Sequence, residues 1–235
     1  MHTTAIVGVV LGGGAGQRFG ADVPKQLLSL DGKTLIERSV EALRAAPGVD
    51  EVLLVMASGY AEEAAKLVGD DVCAVITGGT TRAGSVRRAL AEITAHHDRD
   101  TTGVLLHDAA RPLVSQRIIA DCVAALRDHD AVGTAVPTAD TIVVAAGGVM
   151  SHVPPRETLL RCQTPQGFRL SVINRAHELA AADPDFVPTD DCGVVLRYLP
   201  DVPVHVVAGS DRNIKITYPA DLAVAEALLR NAPPA

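Results

Sequence analysis

Five short, continuously apolar runs, separated by stretches of helical pattern, constrain this chain more than any other feature. They are AIVGVVL (5–11), EVLLVMA (51–57), DVCAVIT (71–77), TGVLLHD (102–108) and DAVGTAVPT (130–138). A strand with one wet face alternates apolar and polar residues, whereas a strand apolar at successive positions belongs in a parallel sheet covered on both faces. The segments between them carry helix starts. Thr34-Leu35-Ile36-Glu37 is a capping box opening a helix to about Ala45, and Ser115 can cap a helix through Leu126. Thr81 can cap RAGSVRRALAEIT, which puts Val86, Ala89, Leu90 and Ile93 on one face. Helical patterns return at 170–182 and 190–198, a strand at 202–207 and a last helix at 217–230. Strand, helix, strand, repeated, implies right-handed crossovers and a three-layer α/β fold with a mostly parallel sheet. With 235 residues and 48% hydrophobic content, the expected organisation is one domain over 1–235.

The rhythm breaks after Pro137. Residues 138–160 hold a short β-branched run, a Gly147-Gly148 turn and a second short run, the pattern of a hairpin arm projecting from the sheet. An arm of this kind has little core of its own, so a second copy of the chain is its expected support and a homodimer the expected assembly. The net charge of -7, the 3% aromatic content and the absence of Trp argue against a nucleic-acid partner. An anionic ligand would have to be held by local Lys, Arg and backbone N–H groups. Cys73, Cys122, Cys162 and Cys192 are scattered without a CxxC or Cys/His cluster, which points to a reducing, cytoplasmic compartment. The run at 5–11 is too short for a membrane span and lacks the basic lead of a signal peptide. The eight histidines show no metal-binding spacing and are expected at the surface; no protein ligand to a metal is expected from them.

The first strand runs into LGGGAGQRFGADVPKQ (11–26). In an open α/β sheet this loop faces the ligand crevice, and its glycines let backbone N–H groups approach phosphate oxygens. Two familiar loops do not fit. A dinucleotide fingerprint would need glycine where Phe19 stands, and a Walker A loop would end in GK[ST]. Instead Arg18 and Lys25 lie in the same loop, so two cations can converge on a polyphosphate. HDAARP (107–112) comes at the carboxyl end of a buried strand, where Asp108 could hold sugar hydroxyls or metal-bound water and Arg111 a phosphate; a capping Asp with Arg as its salt-bridge partner is the plainer alternative. GGTTRAGSV (78–86) offers Gly79, Arg82 and Ser85 near a helix start, although Thr81 needs no ligand to act as a cap. Lys215, between Ile214 and Ile216, has the pattern of a strand residue aimed into a site while its neighbours enter core, an exposed strand-end lysine being the alternative.

In order along the chain, GGGAGQRFGADVPKQ, GGTTRAGSV, HDAARP, DTI at 140–142, QTPQGF at 163–168, TDD at 189–191 and NIKIT at 213–217 resemble the 2-C-methyl-D-erythritol 4-phosphate cytidylyltransferases, over about residues 5–230. Each motif alone is modest; the ordered set is specific to this family and its near relatives. The resemblance implies a Rossmann-like nucleotidyltransferase fold, a homodimer built through the arm, Mg2+ carried mainly by the CTP phosphates, and transfer of CMP from CTP to a polyol phosphate with release of pyrophosphate. By position it implies that Gly12, Gly13, Gly14 and Gly16 with Arg18 and Lys25 hold the triphosphate, Lys25 being the main catalytic cation and Lys215 a second. Gly79, Arg82 and Ser85 match the cytidine-recognition turn, and Ala109 a nucleotide contact. Asp108, Arg111 and Lys215 match contacts to the polyol phosphate and Thr164 a further substrate contact, while Thr141 and Arg156 match arm residues that reach the acceptor phosphate from the partner subunit. Leu11-Gly12-Gly13-Gly14 and Val143 depart from the family pattern toward the ribitol 5-phosphate cytidylyltransferases, whereas HDAARP and NIKIT lean back.

The chemistry agrees with this residue set. The acceptor's own phosphate is largely ionised at neutral pH and needs no general base, so the obstacle is repulsion between roughly four charges on the triphosphate and about two on the acceptor. Positioned cations offset it. Of the other classes, a nicotinamide dehydrogenase would end its second strand, EVLLVMASG, on an acidic ribose-binding residue, and none is there. A non-catalytic nucleotide-binding subunit would have no use for Lys25 and Lys215.

Overall fold

The computed structural model describes residues 3–13 and 24–231. Strand β1 (Ala5–Gly12) leads, through the ribbon of β2 (Ser29–Leu30) and β3 (Lys33–Thr34), to α1 (Leu35–Arg44). Two crossover units follow, β4 (Glu51–Met56) with α2 (Ala61–Val68) and β5 (Ala74–Thr77) with α3 (Arg82–His96). Then come β6 (Thr102–Asp108), α4 (Gln116–Ala125), β7 (Ala131–Pro137) and the hairpin β8 (Val144–Ala146) and β9 (Val149–His152). The chain closes with β10 (Leu160–Arg169), α5 (Leu170–Ala181), α6 (Asp191–Tyr198), β11 (His205–Ala208) and α7 (Pro219–Arg230).

The main sheet has seven strands in the order β11-β7-β10-β6-β1-β4-β5. All neighbours run parallel except β10, which is antiparallel to both β6 and β7. Period-two alternation divides each central strand between two cores. From β1, Ile6 and Val10 pack against α1, α2 and α4, while Val7, Val9 and Leu11 pack against α3, α5 and α6. From β4, Val52, Leu54 and Met56 go one way and Leu53 and Val55 the other, which is why the runs read as continuously apolar. The result is the expected three-layer, mostly parallel architecture of the Rossmann-like nucleotidyltransferases.

The three expected caps form. Thr34 Oγ1 accepts from Glu37 N at 3.3 Å while the Glu37 carboxylate accepts from Thr34 N at 2.7 Å. Thr81 Oγ1 accepts from Gly84 N at 3.0 Å, and Ser115 Oγ from Ile118 N at 3.4 Å. The arm is a hairpin turning at Gly147 and Gly148, whose φ values of 57° and 80° suit a tight two-residue turn. It leaves the sheet at the carboxyl end of β7, since β10 returns antiparallel with Leu160 opposite Pro137.

Several expectations are corrected. The run at 71–77 forms a strand only from Ala74, because Gly69–Asp71 is a 3-10 turn. The segment 213–217 is an extended connection and no strand, although Ile216 N donates to Ala110 O at 2.8 Å and Ile216 is buried. Helix α2 had no readable start, because Tyr60 at its N-cap makes no side-chain hydrogen bond. Strand β10 carries no strand signature of its own, since it contains Pro165 and Gly167, residues that weaken any strand assignment. The pairing accommodates the proline with a register shift between Cys162 and Gln166. The histidines are not all superficial: His107 and His177 are buried.

Candidate active site

The expected site residues that the structure describes, apart from Thr141 and Arg156 on the arm, converge at the carboxyl edge of the sheet, where β1, β5 and β6 end and β10 begins its return. Gly14, Gly16 and Arg18 lie outside the described residues. The two ends of that loop are defined. At its start, a Cβ on Gly12 would stand 2.8 Å from Met56 Sδ and 3.0 Å from the Val55 carbonyl oxygen, and one on Gly13 would stand 2.6 Å from Ser85 Oγ. Packing against β4 and α3 therefore requires glycine at both positions. At its far end, Gln26 is buried and its side-chain amide donates to Gly12 O, tying the return of the loop to its start. Beside it, Lys25 Nζ donates to Ile216 O at 2.7 Å, so the lysine is braced on the segment that carries Lys215.

Ser85 is the hub of the second turn. Its Oγ accepts from Gly79 N at 3.1 Å and donates to Thr81 O at 3.1 Å. Gly78 and Gly79 have no room for side chains: a Cβ on either would stand 2.7 Å from Ser85 Oγ or from the Gly84 backbone, respectively. The start of β1's loop and the turn after β5 are thus packed on one hydroxyl. Arg82, from the first turn of α3, reaches two carboxylates, Asp108 Oδ1 at 3.3 Å and Asp191 Oδ2 at 2.7 Å.

Asp108 is the electrostatic centre. It ends β6, is almost fully buried, and also receives Lys215 Nζ at 2.6 Å on its other oxygen. Burial works against its charge, but Arg82 and Lys215 outweigh burial and hold the carboxyl well below the ordinary carboxylate range. For Arg82 the same balance holds with opposite sign: burial lowers its pKa, and the charges of Asp191 and Asp108 raise it above the ordinary value. Arg111 is not the partner of Asp108. Its guanidinium donates to the carbonyls of Asn213 (2.7 Å) and Cys162 (3.3 Å), and burial lowers its pKa against the opposing pull of the Asp108 charge. Its Nε is buried without a partner, leaving donor capacity for an incoming oxyanion.

Around these groups the backbone is pinned. Asp108 N donates to Thr164 Oγ1 at 3.0 Å, and Ala109 N donates to Leu11 O at 3.1 Å. Thr141 and Arg156 lie on the exposed arm, where Arg156 donates to Thr141 Oγ1 at 2.8 Å; within one chain they join each other and not the Asp108 cluster. Among the described residues no group of three or more His, Cys, Asp or Glu stands together as a metal cage, and no helix is long and apolar enough to cross a membrane.

Residues 6–231 match the sequence pattern of the family described as 2-C-methyl-D-erythritol 4-phosphate cytidylyltransferase (IspD). The chain belongs to this cytidylyltransferase family. It is similar to the 2-C-methyl-D-erythritol 4-phosphate cytidylyltransferase of Thermobifida fusca (strain YX), 53% identical over 234 residues that cover 96% of this chain and 93% of that protein. The crystal structure of the cytidylyltransferase of that name from Thermus thermophilus superimposes with a TM-score of 0.75 at 31% identity, over 98% of this chain and 100% of that one. A Haemophilus influenzae bifunctional ribulose 5-phosphate reductase/CDP-ribitol pyrophosphorylase is 34% identical over 98% of this chain, but the match spans 49% of that protein. As a cytidylyltransferase family member the chain is a nucleotidyltransferase enzyme.

Three residues that the sequence reading does not single out join this candidate site. Asp191 stands in the TDD motif and became a partner of Arg82 only in three dimensions. Gln166, in QTPQGF, places it: its Oε1 accepts from Asp191 N and Cys192 N, each at 3.1 Å, and its Nε2 donates to Asp190 Oδ2 at 2.9 Å. His107, in HDAARP, is buried although all eight histidines are expected at the surface, because a single apolar run does not reveal which polar residue has buried partners.

Proposed function

We propose that this chain transfers CMP from CTP to 2-C-methyl-D-erythritol 4-phosphate and releases pyrophosphate. The observation that carries the choice of acceptor is the 53% identity, over nearly the whole chain, to a relative bearing that name. In this reaction an ionised oxygen of the acceptor phosphate forms a bond to the α-phosphorus of CTP, while the bond to the bridging oxygen breaks and its electron pair leaves with pyrophosphate. No proton must be removed from the attacking oxygen, in keeping with a site whose described residues are dominated by cations and place no base on a nucleophile.

Lys25 and the glycines at the end of β1 would receive the triphosphate, with Gly79, Arg82 and Ser85 beside the nucleoside. Lys215, Arg111 and Asp108 would hold the acceptor phosphate and its hydroxyls. Before substrate arrives, Asp108 and Asp191 together balance the charges of Lys215 and Arg82, and an incoming phosphate competes with these carboxylates for the same cations. Mg2+ fits as an ion carried by phosphate oxygens, because Asp108 and Asp191 are already taken by Lys215 and Arg82. Its contribution would be neutralisation of charge on the departing pyrophosphate. The arm presents Ile142, Val144, Val149, Met150, Val153 and Leu160 to solvent, which supports its burial against a second copy, with Thr141 and Arg156 entering the neighbouring site. We assign the enzyme to the cytoplasm.

The test is pyrophosphate release with Mg2+, CTP and either methylerythritol 4-phosphate or ribitol 5-phosphate. Release with the first acceptor alone is expected. Release only with the second would overturn the acceptor, and release with neither, under any nucleoside triphosphate, would overturn the enzyme.

A further inference from the structure

The buried His107 imidazole closes a ring of hydrogen bonds beneath the site. One ring nitrogen, Nε2, lies 3.2 Å from Arg111 O, and the other, Nδ1, lies 3.1 Å from Thr164 Oγ1. Thr164 O accepts from Asn213 Nδ2 at 2.9 Å, and Asn213 O accepts from the Arg111 guanidinium at 2.7 Å. Four residues from three segments, the end of β6, the irregular stretch of β10 and the connection after β11, are thereby joined in one closed circuit. His107 and Asn213 are fully buried and Thr164 nearly so. Asp108 N donates to Thr164 Oγ1, and Lys215 lies two residues beyond Asn213.

The partners decide the tautomer. A carbonyl oxygen only accepts, so Nε2 must carry the hydrogen that meets Arg111 O. A neutral ring then has a lone pair on Nδ1, which needs a donor. The Thr164 oxygen already accepts from Asp108 N, and its hydroxyl hydrogen is left for Nδ1. The other neutral tautomer would set the Nε2 lone pair against the Arg111 carbonyl. Of the two neutral forms, only this one satisfies both ring nitrogens, which is how a buried network fixes geometry.

We propose that His107 is a positioning residue for the transfer reaction: as a neutral Nε2–H imidazole it sets the spacing between Arg111 and Lys215, which would hold the acceptor phosphate, and Asp108, which would accept from its hydroxyls. This rests on the cytidylyltransferase reading given above. The ring lies on the acceptor side of the site, and its links to the nucleotide side are one step removed, through Asp108 to Arg82 and through Ile216 O to Lys25. Disturbing it should therefore divide the two substrates, which a general loss of folding would not do.

The experiment compares steady-state kinetics of wild type, His107→Leu and His107→Gln with CTP, Mg2+ and methylerythritol 4-phosphate. His107→Leu should raise the KM for the acceptor about tenfold, the scale of one lost positioning hydrogen bond, with the KM for CTP within about twofold. His107→Gln, which keeps an N–H donor toward Arg111 O, should recover most of that loss. Unchanged acceptor KM in a folded His107→Leu, or an equal rise in both KM values, would overturn the proposal. Nitrogen-15 NMR of the wild-type imidazole covers the case in which the variants do not fold: a neutral ring protonated on Nε2 between pH 5.5 and 8 is expected, and a ring protonated on Nδ1 refutes it. Wild-type protein that releases no pyrophosphate would sink the underlying function, while the imidazole spectrum would still judge the ring.

Discussion

Replacing Asp108 by Asn keeps the shape of the side chain and removes the charge that two cations share. The cost follows from what each cation can do next. Lys215 is 42% exposed along its side chain and turns to water when released, so its pairing contributes no more than about 1 kcal/mol despite the 2.6 Å contact. Arg82 is more enclosed, at 28%, but keeps Asp191 at 2.7 Å, so it loses one of two partners and about 1 kcal/mol more. The sum, about 2 kcal/mol, lies below the 3–5 kcal/mol of a buried pair left with one naked ion. For a chain of this size that is a fall of about 4–8 °C in Tm. Its pH dependence has a definite sign. The folded pKa of Asp108 is depressed, so its contribution is complete above the unfolded value near 3.8 and disappears as pH falls through the folded value. Urea titrations of wild type and Asp108→Asn should show a constant gap from pH 8 to 5 that narrows below pH 4, with equal m-values. A variant as stable as wild type at pH 7, or a gap that widens in acid, would refute this account of the cluster.

Three further outcomes are expected. Lys25→Ala should lower kcat by a factor on the order of a hundred to a thousand, as removal of one preorganised donor does; full turnover in a stopped-flow pyrophosphate assay would remove Lys25 from the mechanism. Gly13→Ala puts a Cβ 2.6 Å from Ser85 Oγ and should cost about 1–3 kcal/mol, whereas Ser85→Ala in the same chain leaves Ser85 Cβ, at 3.4 Å, as the nearest atom and should recover part of it. A thermal-melt double-mutant cycle showing simple additivity would contradict that contact. His107, which burial lowers from 6.5 to about 4, is neutral in the fold, while the unfolded chain takes up its proton first. Wild type should therefore lose up to about 3 kcal/mol relative to His107→Gln as pH drops through that window, and parallel pH–stability curves for the two would disprove the assignment.

The layered fold was legible because its signals are local. Continuous apolar runs mark strands covered on both faces, and Thr34, Thr81 and Ser115 bond to N–H groups three residues ahead, a distance sequence can see. Strand β10 was not legible, since Pro165 and Gly167 contradict local propensity and only pairing with β6 and β7 overrides it. The candidate site divides the same way. Its polar residues stood in recognisable motifs, but their partners did not: Arg111 was a natural mate for Asp108 three residues away, yet Arg82 and Lys215 take that role from 26 and 107 residues off.

By itself, then, the sequence determined the alternation of strands and helices, the caps, the arm and the set of cations, all of which rest on periodicity and near-neighbour bonding. The tertiary structure alone decided how those charges are shared, why Gly12 and Gly13 have no room for a side chain, and that His107 is buried with a hydrogen-bond partner on each nitrogen. Such outcomes depend on desolvation and on contacts between residues far apart in the chain, and neither is encoded in the spacing of residues along it.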